Sequence, residues 1–287
     1  MRPVVKMPKP CQEHDELTII AAMFATGSHF RVLGRVEWTV DGHLRAIGRR
    51  RERLLLGLLL LEMGRPLPMD RLIDLLSDGD ERPRSRADLY VDVCRLRASL
   101  RQGGCDGSVR LVRSGSTYAL TGDPQLVDLH RFTQLVNRAQ RCTEPQEVSR
   151  LASSALAEWR GAVLEDVASE RTRRGVGAAF GELLISAQLL RIAAEFKLRN
   201  YWWLTAELAR LTEDHPEHEM LLAFRAATLY ECGRRADALR VLSSARAQMT
   251  GRLGLDLSRE LQDLREAILR DDPVDRRIFR CGALDAV

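Results

Sequence analysis

Residues 49–104 read RRRERLLLGLLLLEMGRPLPMDRLIDLLSDGDERPRSRADLYVDVCRLRASLRQGG, three helical patterns cut apart by glycine and proline. The first, about 49–63, is stopped by Gly64 and Pro66, which do not continue a helix cheaply. The second covers about 69–77, and the third runs over 84–101 with Pro83 and Ser85 at its start. After Gly103-Gly104, SVRLVRSGSTYALTGD alternates apolar and polar residues on both sides of Ser114-Gly115-Ser116, the pattern of a hairpin. Upstream, FRVLGRVEWTVDGHLRAIG (30–48) reads as short strands with turns at Gly34 and Asp41-Gly42, the start of a small antiparallel sheet.

Sheet, three helices, hairpin is the order of a winged helix-turn-helix, in which the third helix enters a DNA major groove and the hairpin lies beside it. The composition of that third helix agrees. At 3.6 residues per turn, Leu89, Val93, Leu96 and Leu100 form a core-facing stripe. Opposite them stand Ala87, Val91, Cys94 and Ala98, with Arg84, Arg95, Arg97 and Arg101 along the flanks. A smooth strip between rows of guanidiniums suits a groove between two phosphate backbones; a solvated face of an Arg-rich protein is the plainer alternative. The charge distribution favours the groove. Residues 29–122 hold 17 Arg, no Lys and 12 acidic residues, a net +5, against +4 for all 287 residues. The preference for Arg over Lys is chain-wide and carries no weight here.

Beyond Pro124 the pattern is helical throughout, to about residue 270. Aligning AAEFKLRNYWWLTAELARL (193–211) with AATLYECGRRADALRVLSS (226–244) sets Asn200 opposite Gly233, a separation of 33, near the period of tetratricopeptide-type helix pairs. The expected architecture is mainly α: a flexible N-terminal extension over 1–28, a winged-helix domain over 29–123, an all-α helical-repeat domain over 124–273 and a tail over 274–287. The apolar run LTIIAAMFATG (17–27) follows EHDE rather than a basic flank and is too short to span a bilayer, so no membrane partner is expected.

Several constellations are set aside. The six cysteines form no Cys-x-x-Cys and no grouping with histidine, which fits reduced thiols in a cytosol. His215 and His218 lack further ligands and read as an interhelix turn. GVGAAFG (175–181) departs from the dinucleotide fingerprint and follows no strand. With no nucleophile–base pair, metal set or phosphate loop, the expectation is a non-enzyme without cofactor.

The chain resembles the small members of the Streptomyces antibiotic regulatory proteins, which join an OmpR-like winged helix to a bacterial transcriptional activation domain of tetratricopeptide-like helices. The resemblance covers about 29–273 and runs through FRVLGRVEW, RRRERLLLGLLLLEMGRPLPMDRLIDLLSD, LYVDVCRLRASLR, DLHRFTQLV, ALAEWRGAVLEDV and LYECGRRADALRVLSSAR. It implies activation of a biosynthetic gene cluster: a homodimer on direct repeats of double-stranded promoter DNA, touching RNA polymerase including its sigma factor. Carried onto this chain, the Arg95-Leu96-Arg97 motif puts Arg95 at the bases, Arg97 at phosphate and Leu96 in the core. Arg113 stands where the family's wing carries a basic residue. Here four residues separate it from Tyr118, and Thr117 replaces the usual glycine, so a wing tip one residue longer is expected.

The expected DNA-facing set is Arg84, Arg86, Asp88, Val91, Cys94, Arg95, Arg97, Arg101, Arg113, Ser114 and Ser116. Asp88, on an exposed flank, would select a cytosine amino group or repel phosphate. For partner proteins, one indole of Trp202 and Trp203 is expected in solvent, since adjacent helical positions point about 100° apart. Arg171, Arg173 and Arg174 read as a basic loop suited to phosphate or an acidic surface. Two other functions use the same parts: a helical-repeat adaptor or ligand-responsive regulator whose winged helix docks protein, and a repressor that blocks its promoter.

Overall fold

The computed structural model describes residues 28–77, 84–105 and 107–274. The expected extension over 1–28, apart from Ser28, the tail beyond Val274, and Pro83 lie outside the described residues. The chain is mainly helical and divides into two compact units, which among the described residues are 28–131 with 160–177, and 132–159 with 178–274.

The first unit opens with an antiparallel sheet of β1 (Ser28–Arg31), β2 (Glu37–Val40) and β3 (His43–Leu44). Asp41 and Gly42 both take positive φ, 50° and 75°, the two-residue turn that matches the twist of a hairpin. Three helices follow: α1 (Arg50–Leu61), α2 (Met69–Ser77) and α3 (Arg86–Gln102), as the pattern predicts. Then β5 (Val109–Ser114) and β6 (Thr117–Gly122) form the wing hairpin, and a two-residue strand, β4 (Leu67–Pro68), joins the far side of β6. A strand that short leaves no alternation to read.

α1 is buried on nearly every side from Leu54 to Leu61. Gly57 is the reason it can be. A Cβ there would sit 2.5 Å from the Leu164 side chain, so the missing methyl lets the 160–167 segment lie against the helix. That segment is fastened to the sheet: Arg160, Leu164 and Glu165 N–H donate to the carbonyls of Leu33, Val32 and Gly34 at 3.0, 3.1 and 2.9 Å. Asp166 accepts from Val36 N–H at 2.9 Å and pairs with Arg53 at 3.3 Å. The first unit thus passes the expected boundary at Asp123.

Asp128, fully buried at the start of α4 (Asp128–Arg141), ties the same region together. Its carboxylate accepts from the N–H groups of Val32, Leu33 and Leu129 and from Arg160. Burial raises its pKa, and the backbone donors oppose the rise. Within the sheet, Trp38 stacks on Phe30 with ring centroids 5.7 Å apart and is wholly buried. Gly103, at the C-terminus of α3, lies so close that a Cβ would fall 2.1 Å from the Trp38 ring. The indole sets the position of the third helix.

The second unit continues with α5 (Pro145–Glu158), α6 (Glu170–Lys197, of which it takes 178 onward), α7 (Tyr201–Asp214), α8 (Glu219–Glu231), α9 (Arg235–Leu253) and α10 (Arg259–Arg270). Its aromatic centre is Phe196, edge-on to Tyr201 and Phe224 at 5.2 and 5.8 Å. The repeat is real but its register differs by one. Arg199 and Gly233 are the left-handed residues after α6 and α8, with φ of 61° and 74°, and the following N–H of Asn200 and Arg234 closes each turn onto Glu195 and Leu229. They stand 34 residues apart, the tetratricopeptide period. Side-chain identity concealed this, because an arginine in one turn does the work of a glycine in the other. Among the described residues no single helix is long and apolar enough to cross a membrane.

Candidate nucleic-acid interface

The buried face of α3 is the expected one: Leu89, Val93, Leu96 and Leu100 are at most 5% exposed. Ser85 caps the helix, its Oγ accepting from Asp88 N–H while the Asp88 carboxylate accepts from Ser85 N–H at 2.9 Å. Across the helix, Ala87, Val91 and Cys94 are exposed and Ala98 is half-buried. The smooth strip is present.

Its arginines divide into two groups. Arg95 and Arg101 are exposed, Arg95 reaching back to within 3.9 Å of the buried Glu52 carboxylate. Arg86 is exposed and forked onto Asp70 of α2, at 3.0 Å for the nearer oxygen. The others are committed inward. Arg84 is not a flank residue: its side chain is 7% exposed and paired with Asp92, itself 6% exposed. An arginine eight residues before an aspartate meets it where the segment ahead of α3 folds back along the helix. Arg97 donates to the Leu111 carbonyl of β5 at 2.9 Å, which fastens wing to helix rather than leaving a free phosphate contact. Asp88 serves as a cap, its carboxylate engaged by Ser85, so selection of a cytosine amino group is withdrawn as its role.

Asp92 is raised above the ordinary carboxylate pKa, chiefly by burial and also by Glu52; Arg84 opposes the rise. Helix α3 therefore rests on a polar layer.

Arg113 pairs opposite Tyr118 and Ser114 opposite Thr117, leaving Gly115 and Ser116 as a two-residue turn with Gly115 at φ 54°. The four residues between Arg113 and Tyr118 thus close a tight hairpin. Ser114 and Ser116 are exposed at its end. Arg113 donates to the Tyr90 hydroxyl at 3.1 Å and lies 4.9 Å from that ring's centroid, so a tyrosine of α3 aims it. Sequence reasoning passed over Tyr90, and also the exposed run Arg49-Arg50-Arg51 at the start of α1.

Trp202 is 91% exposed, while Trp203 is half-buried with the Arg191 guanidinium 4.2 Å from its ring centroid. Arg171, Arg173 and Arg174 are not in a loop. They occupy the opening turns of α6, where Ser169 Oγ accepts from Thr172 N–H, and Glu170 pairs with Arg173 and Arg174 at 2.8 and 3.1 Å. Pairs of this i,i+3 and i,i+4 kind are what hold the basic run helical. His215 and His218 lie between α7 and α8, and the described residues contain no group of three or more His, Cys, Asp or Glu placed to hold a metal.

The family described as "Bacterial transcriptional activator domain" matches residues 127–269. The regulatory protein DnrI of Streptomyces peucetius is 30% identical over 239 residues, 79% of this chain and 87% of its own. The chain belongs to the Streptomyces antibiotic regulatory protein family. Within that family, the match to the activator domain begins one residue before the buried Asp128 and ends in α10. The transcriptional regulatory protein EmbR of Mycobacterium tuberculosis is 30% identical over 251 residues, 86% of this chain; the aligned part spans 65% of EmbR. A solved structure of M. tuberculosis EmbR in complex with a low-affinity phosphopeptide superposes with a TM-score of 0.77 at 31% identity, covering 88% of this chain and 68% of that one.

Proposed function

We propose that this family member is a sequence-specific DNA-binding transcriptional activator of a biosynthetic gene cluster, acting in the cytoplasm and without enzymatic activity. The observation that carries the reading is the outer face of α3, where Ala87, Val91 and Cys94 stand in solvent beside Arg95. Strips of short side chains let a helix approach base edges and thymine methyls; an adjacent guanidinium can take guanine O6 and N7 together. Val91, Cys94 and Arg95 face the bases, Arg86 and Arg101 the phosphates, and Arg113, Ser114 and Ser116 the neighbouring backbone or minor groove. Two protomers on direct repeats would present their helical-repeat units to RNA polymerase and its sigma factor, with Trp202, Arg171 and Arg174 as exposed contact candidates.

The test is fluorescence anisotropy of the full chain on promoters of its neighbouring gene cluster, beside Arg95→Ala. A good base contact is worth about 1–3 kcal/mol, so the promoter preference should fall roughly 5- to 150-fold. Equal binding of the native chain to every DNA, or an unchanged preference in Arg95→Ala, refutes the groove reading. Reporter output on deletion separates activator from repressor.

A further inference from the structure

We propose that Arg49 and Arg50, at the start of α1, form a second phosphate clamp on the edge of α3 opposite the wing, holding the backbone of duplex DNA. The inference rests on α3 being the groove-reading helix.

The argument is one of placement around α3. At about 100° per residue, Tyr90 and Arg97 share one flank of the helix, and both are engaged by the wing, through Arg113 and the Leu111 carbonyl. The open strip of Ala87, Val91 and Cys94 lies about 40–100° further round. Beyond it come Arg95 and Asp92. These two turn toward α1: Arg95 approaches Glu52, and Asp92 feels the charges of Glu52 and Arg51. The first turn of α1 therefore borders the strip on the side away from the wing.

A B-form major groove is walled by two phosphate backbones about 12 Å apart. A helix lying in it with a basic element on each flank meets both walls. The wing supplies Arg113 on one side; the α1 turn supplies Arg49 and Arg50 on the other, both exposed. The turn is strongly positive even after its own acid is counted, since the Glu52 carboxylate is 4% exposed and already engaged by Arg49 N–H and Arg95. Among the described residues no carboxylate pairs with Arg49 or Arg50, whereas Arg53 of the same turn is held by Asp166. The α1 dipole points its positive end the same way and adds to the attraction for phosphate. The run IGRRRE read as an unremarkable helix start, because nothing in the sequence says that residue 52 meets residue 95.

The experiment compares the full chain with Arg49→Gln/Arg50→Gln on promoter and unrelated duplexes over a salt series. Each phosphate contact contributes a slope of about −0.9 in log K against log salt, so the slope should become shallower by roughly 2 and affinity should fall about 30-fold near 0.15 M salt. The loss should be equal on both duplexes, leaving the promoter preference unchanged, and thermal unfolding should match the native chain because both side chains are exposed. A native slope and native affinity in the double variant, with the native chain still binding its promoter, overturn the clamp alone. A loss confined to the promoter sequence also overturns it, by assigning these arginines to base recognition. If the native chain binds no duplex at all, the underlying reading falls and the clamp with it.

Discussion

Replacing Arg84 with glutamine separates two accounts of the same residue. On the sequence pattern Arg84 flanks the recognition helix and reaches phosphate; in the structure its guanidinium is buried against Asp92, with exposures of 7% and 6%. Removing one partner of a buried pair leaves an uncompensated charge, at a cost of about 3–5 kcal/mol, a large share of the roughly 5–15 kcal/mol that holds a domain folded. Arg84→Gln should lower stability by that amount in urea denaturation followed by circular dichroism. The pH dependence gives the cause. The pKa of folded Asp92 is already raised by burial and would rise further without Arg84, so the folded state binds the proton more tightly than the unfolded one. A group of that kind loses stability as pH rises through its folded pKa, so the defect of the variant should be greatest at neutral pH and shrink on acidification. Replacing both partners, as Arg84→Met/Asp92→Leu, should recover most of the loss. An unfolding midpoint equal to the native one, with a salt slope for DNA shallower by about one, would refute the argument and return Arg84 to the phosphate contacts.

Gly103→Ala places a methyl 2.1 Å from the Trp38 ring at an otherwise permissive φ of −78°, so the cost is steric and should be about 1–3 kcal/mol in urea denaturation. Because Trp38 positions the end of α3, DNA affinity should fall alongside stability; a neutral substitution would mean the indole yields freely. The pKa of His130 is lowered chiefly by burial, against its contact with the Leu60 carbonyl, and that of His218 is lowered by burial likewise. Depressed folded pKa values give stability that is present above the ordinary value of about 6.5 and lost as pH falls through the folded ones, so stability should drop as the pH is taken below about 6.5. His130→Gln should flatten that fall, and an unchanged pH profile would show that the imidazole is not the group responsible.

How much of this was legible in the sequence follows from the range of the interactions involved. The buried stripe Leu89, Val93, Leu96, Leu100 is a property of one helix, and its period alone revealed it. The two-residue turn at Asp41-Gly42 is equally local. Boundaries were not local. Asp128 binds the N–H groups of Val32 and Leu33 from 96 and 95 residues away, and the 160–167 segment returns to α1 through a glycine that any helix pattern would treat as a blemish. A break at Asp123 is the reading of a proline and a change of periodicity; the activator-domain match begins close by at 127, while the first compact unit runs on through Arg131 and takes in 160–177.

The same distinction decides the interface. Arg95 and Arg97 sit two positions apart in one short motif, about 200° apart on the helix, and no property of the motif says which flank meets the wing. The Leu111 carbonyl does: it takes Arg97 and leaves Arg95 beside the open strip. Five arginines made the helix look like the source of the positive field. Arg84 is buried and Arg97 is bonded to the wing, which leaves the exposed Arg86, Arg95 and Arg101, of which the first two also reach Asp70 and Glu52. Three exposed guanidiniums are few for a duplex whose charge repeats every ~1.7 Å. On the proposed DNA-binding reading, further charge comes from elements brought alongside by the fold, the wing at Arg113 and the first turn of α1. On that reading Val91 and Cys94 share discrimination with Arg95, so substitutions at Val91 and Cys94 should change which promoter is bound more than how tightly DNA is held.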